Sequence, residues 1–84
     1  MTKAEERALV LRDLFLESGW MAGPVNAHNV YDARLDVQLG SQGMVSIFVV
    51  RTGIVHLWSL IVGGSTEQEA RKVLRAAGLG EWLR

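Results

Sequence analysis

The chain is 84 residues long and carries nine Lys and Arg against nine Asp and Glu, so it has no bulk field to gather nucleic acid or an anionic membrane, although a local basic patch is compatible with that balance. The absence of cysteine excludes disulfides, thiolate metal sites and a cysteine nucleophile. An apolar content of 49% beside 21% charged residues excludes a disordered chain, and the length fits a single domain over 1–84 whose modest core a second chain would help to stabilise. No apolar run is long enough to span a bilayer as a helix, and no signal-type segment opens the sequence. The expected setting is the cytoplasm.

Thr2-Lys3-Ala4-Glu5 has capping-box spacing and predicts the start of a helix. Ala4, Ala8, Leu11 and Phe15 recur at helical spacing with Leu14 beside them, and Ser18-Gly19 supplies the stop. Leu9 and Leu16 lie off that stripe and read as a widening of the same core face. From Trp20 to Asn29 the Gly-Pro step and two Asn residues break any regular period, so a connection or a short irregular strand is expected, with Trp20 and Met21 anchoring the helix end.

Val30 to Leu39 alternates as a half-buried strand, with Tyr31, Ala33, Leu35, Val37 and Leu39 on one side and Asp32, Arg34, Asp36 and Gln38 on the other. Closing Gly40 to Gly43 as a four-residue loop sets Leu39 against Met44, Leu35 against Phe48 and Asp32 against Arg51. Met44 to Val62 then reads as two strands about a two-residue Thr52-Gly53 turn. In that register Arg51 faces Ile54, Val49 faces His56, Ile47 faces Trp58 and Val45 faces Leu60. Phe48 and Leu57 share the opposite side. After Gly63-Gly64, Ser65 with Gln68 and Thr66 with Glu69 offer overlapping capping boxes, and Ala70, Val73, Leu74 and Ala77 form the apolar stripe of a second helix ended by Gly78-Leu79. Trp82 and Leu83 are expected to fold back onto the sheet.

The expected fold is α+β, a two-layer α-β-β-β-α arrangement in which a three-stranded antiparallel meander carries both helices on one face. The other face is open. By the register above it presents Val45, Ile47, Val49, Ile54, His56, Trp58 and Leu60, an apolar surface of the kind that marks an interface. A homodimer or another protein is the expected partner, and no cofactor is expected.

Reactive constellations are sparse. His28 and His56 have no second ligand at metal spacing, so no metal site is expected. Asp32 and Asp36 share a strand face but stand roughly 13 Å apart, too far to act as a pair on one bond. Walker, GxSxG and Rossmann patterns are absent, and Glu67 and Glu69 would repel phosphate from the start of the second helix.

The α-β-β-β-α order resembles the double-stranded-RNA-binding fold over most of the chain. Within it, Leu14-Phe15-Leu16-Glu17-Ser18-Gly19-Trp20 is similar to the first helix of HicA-type toxins, a small RNA-cleaving family. Ala70-Arg71-Lys72-Val73-Leu74-Arg75-Ala76-Ala77-Gly78-Leu79 is similar to that family's last helix. Ala27-His28-Asn29-Val30-Tyr31 falls near the place of its Gly-Ser-His motif, with Asn26-Ala27 in place of Gly-Ser. The resemblance implies His28 as a catalytic histidine. The RNA-directed alternative that follows takes Arg71, Lys72 and Arg75 as phosphate contacts. Two readings therefore stand: a non-catalytic interaction module using the open sheet face, and an RNA-binding or RNA-cleaving protein.

Overall fold

A computed structural model describes residues 2–27, 32–60 and 64–83. Helix α1 (Lys3–Glu17) leads into strand β1 (Met21–Ala22), followed by β2 (Ala33–Leu39), β3 (Gly43–Val49), β4 (Val55–Trp58), helix α2 (Ser65–Ala76) and a 3-10 turn over Gly80–Trp82. The strands form one antiparallel sheet in the order β1-β2-β3-β4, so the class is α+β with four strands where three were expected. The addition is the irregular segment after α1: Met21 pairs with Gln38 and Ala22 with Val37, and Asn26 forms a further bridge to Arg34. A two-residue edge strand carries too little periodicity to be seen in sequence.

The capping box at Thr2 is formed, with the Glu5 N–H donating to Thr2 Oγ1 at 3.1 Å and the Thr2 N–H to Glu5 Oε1 at 3.1 Å. At α2 the helix begins one residue early. Gly64 is the cap, no side chain caps the helix, and the expected Ser65 and Thr66 boxes are not used. Its far end follows the expected pattern, with the Leu79 N–H donating to Leu74 O at 2.9 Å and Gly78 at φ +77°.

Ala4, Ala8, Leu11 and Phe15 of α1 and Ala70 and Leu74 of α2 pack into a single core with Ala33, Leu35, Val37, Val45, Ile47, Val49 and Val55. These strand residues all lie on one side of the sheet, so both helices cover that side. Trp20 closes the core at the end of α1, its ring edge-on to Phe15 at 5.0 Å between centroids. Met21, by contrast, points out and is exposed. Leu9 and Leu16 are exposed too, so the apolar surface of α1 is wider than its core contact.

Pairing differs from expectation by one residue in both hairpins. Leu39 pairs with Gly43 and Leu35 with Ile47, while Ile47 also pairs with Leu57 and Phe48 with His56. Each loop closes over three residues. At Arg51-Thr52-Gly53 the Gly53 N–H donates to Val50 O at 2.8 Å and the Val50 N–H to Ile54 O at 3.0 Å. Gly53 takes φ +95° as the third loop residue, which suits a type I turn followed by a left-handed glycine. Both slips are measured against β3, so they cancel between its neighbours: β2 and β4 keep their expected faces and β3 alone is turned over. Val45, Ile47 and Val49 therefore lie in the core beneath the helices, and not on the open face. Met44, Ser46 and Phe48 take their place outside.

The C-terminal segment folds back as expected. Leu83 makes a parallel bridge to Val55, and the Arg7 guanidinium lies 4.3 Å from the centre of the Trp82 ring while its Nη1 donates to Gly53 O at 2.8 Å.

Candidate functional site

Strand alternation sends Arg34, Asp36 and Gln38 of β2, Met44, Ser46 and Phe48 of β3, and His56 and Trp58 of β4 to the face away from the helices. Met21 joins them from β1. The rows across the sheet are Arg34, Phe48, His56; then Asp36, Ser46, Trp58; then Met21, Gln38, Met44. Of the residues expected on this face, His56 and Trp58 are there. Ile54 lies half-buried beside the turn, and Leu60 stands out into solvent after β4.

The polar part of the face is internally satisfied. Ser46, almost wholly buried, donates its hydroxyl to Asp36 Oδ1 at 2.8 Å, and Arg34 Nε donates to the same oxygen at 3.3 Å. The Arg34 guanidinium also lies 5.3 Å from the Phe48 ring centre, as a cation over an aromatic face. Asp32 and Arg51, expected opposite one another, do meet at 3.6 Å, with Arg51 reaching in from the loop. Two acids and two bases thus compensate each other on this part of the molecule.

The apolar part is a band along one end of the sheet. Met21 is 65% exposed, Met44 51%, Trp58 52% and Leu60 88%. Met44 lines two hollows at once: one of about 460 Å³ with Trp58, Leu60 and Thr66, and a shallower one of about 250 Å³ with Met21 and Gln38. Grouped apolar side chains on a sheet face are the kind of surface that contact sites use. Sequence reasoning had assigned Met44 and Phe48 to the covered side. The signal that could have corrected it is Ser46, which in that orientation would have pointed its hydroxyl into an apolar core.

Of the RNA-directed alternative, the structure describes only the residues on α2. His28 lies outside the described residues. On α2, Arg71 pairs with Glu67 at 4.0 Å and Lys72 with Glu69 at 3.1 Å, so two of the three expected phosphate contacts already face carboxylates. Among the described residues no three His, Asp or Glu side chains gather to hold a metal ion, and no helix is long and apolar enough to cross a membrane. Comparison with protein-family models, with curated proteins and with solved structures finds no match for this chain.

Proposed function

We propose that this chain is a small non-catalytic protein-interaction module that works through the open face of its sheet, pairing with a second copy of itself about a two-fold axis. The observation that carries the reading is the band of Met21, Met44 and Trp58 on the open sheet face, with Leu60 exposed beside it just after β4. The adjoining polar cluster supports it. A two-fold contact brings the same patch to both partners, and a patch holding Arg34 beside Asp36 offers each partner both signs of charge. Trp and Met are also the side chains enriched in interface centres, where a rigid ring and a pliable thioether fill what the partner leaves.

Sedimentation of the wild type and of Trp58→Asp at micromolar concentration tests this directly. The wild type is expected to run as a dimer and the variant as a monomer with an unchanged circular-dichroism spectrum. A monomeric wild type removes the self-pairing reading and leaves a different protein as the occupant. Incubation with RNA at low salt, with His28→Ala alongside, examines the RNA-directed alternative. Binding or His28-dependent cleavage there would replace the interaction reading.

A further inference from the structure

We propose that Met21 and Met44 form a peroxide-sensitive site whose oxidation dissolves the association of the open sheet face. The inference rests on the reading of that face as a contact surface and adds its regulation. Apart from Met1, which lies outside the described residues, these are the methionines of the chain, and both stand on the same face. Gln38 separates them, paired with Met21 on one side and Met44 on the other, and both line the same shallow hollow. Neither belongs to the core, which is built from Ala, Leu, Phe, Val, Ile and Trp. The two thioethers are therefore open to a small oxidant and outside the core, so their oxidation acts on the surface and not on the packing of the fold.

The chemistry is a two-electron oxygen transfer. A sulfur lone pair attacks one oxygen of hydrogen peroxide, the O–O bond breaks, an S–O bond forms, and the displaced oxygen leaves as water after taking up the proton. Sulfur is oxidised and peroxide reduced. The product is a strongly polar sulfoxide in place of an apolar, pliable group. At Met44 it would sit in the middle of the apolar band, between the hollow shared with Trp58 and the one shared with Met21. Gln38, which lies between the methionines, has one of its two amide hydrogens committed to Gly40 O at 2.9 Å. A sulfoxide buried by a partner there carries the cost of taking a strongly polar group out of water, which corresponds to an association about tenfold weaker or more.

The test treats the purified full chain with hydrogen peroxide, maps sulfoxides by peptide mass spectrometry and measures the dimer dissociation constant by sedimentation. Oxidation at Met21 and Met44 is expected to weaken the dimer about tenfold or more with the far-UV spectrum unchanged, and the dimer constant of the doubly substituted M21L/M44L protein, measured against its own untreated value, is expected not to change on the same treatment. The oxidation rate of both residues should also fall as protein concentration rises through the dissociation constant, because the dimer covers them. A dimer that survives complete sulfoxide formation at both positions overturns this proposal and leaves the interaction reading standing. A leucine variant that dissociates in peroxide as the wild type does overturns the assignment to these residues. An untreated wild type that is monomeric overturns this proposal together with the self-pairing on which it rests.

Discussion

Gly53 is buried, takes a left-handed backbone conformation, and gives its carbonyl to Arg7. A β-carbon at this position would lie 2.7 Å from Arg7 Nη1, so Gly53→Ala meets a crowded neighbour as well as an unfavourable φ. The expected cost is about 1–3 kcal/mol in urea unfolding, larger than the few tenths a tolerant loop would show. Ser46 makes a different point. Its hydroxyl is the donor that holds Asp36 in place on a face where Arg34 approaches from the other side. Ser46→Ala is expected to destabilise by about 1 kcal/mol, the ordinary net worth of a hydrogen bond, without unfolding the sheet. A loss several times larger would mean that the cluster acts as a unit.

At the start of α1 the Glu5 carboxylate is held below the ordinary glutamate range, chiefly by the Thr2 backbone N–H and then by the Thr2 hydroxyl. A carboxylate lowered on folding supports the helix above its unfolded value, and that support fades as pH falls through the lowered value. Acid titration followed by helix content should therefore show the support at α1 persisting in the wild type until the pH falls below the ordinary glutamate range. Thr2→Val, which removes the hydroxyl partner, should move that loss to higher pH.

The helices were readable because each states its own limits: Thr2 with Glu5 at one start, and Gly78 with Leu79 at one end, are local signals that need no neighbour. Strand pairing is different in kind. Whether Arg51-Thr52-Gly53 closes as two residues or three leaves the composition of both strands unchanged but decides which half of β3 meets the core. Both arms of β3 are apolar, so hydrophobicity alone could not choose. The choice lies in Ser46, the residue of β3 that gains most from reaching Asp36. Because β2 and β4 kept their faces, His56 and Trp58 remained on the surface expected for them while Val45, Ile47 and Val49 went inside.

The molecule as a whole leaves apolar side chains bare on both sides, with Leu9, Val10 and Leu16 on α1 and the methionine-tryptophan band on the sheet. The sheet side differs in joining its apolar band to a charge cluster that is neutral within itself. Association through that face should be nearly insensitive to salt, since little long-range attraction is there to be screened. Sedimentation repeated from about 0.05 to 1 M salt is expected to shift the dimer constant less than about threefold, whereas binding through phosphates would collapse over that range.

Arg7, Gly53 and Trp82 come from the start, the middle and the end of the chain, and the Arg7 to Gly53 bond alone joins positions 46 residues apart. Contacts between positions so far apart in the chain are costly to form before the rest of the fold, so this clasp is expected to close late in folding. Loosening it with Arg7→Ala should accordingly hasten unfolding and leave the refolding rate almost untouched, a signature visible in the two arms of a chevron plot. On that expectation the residue acts as a latch on the lifetime of the native state.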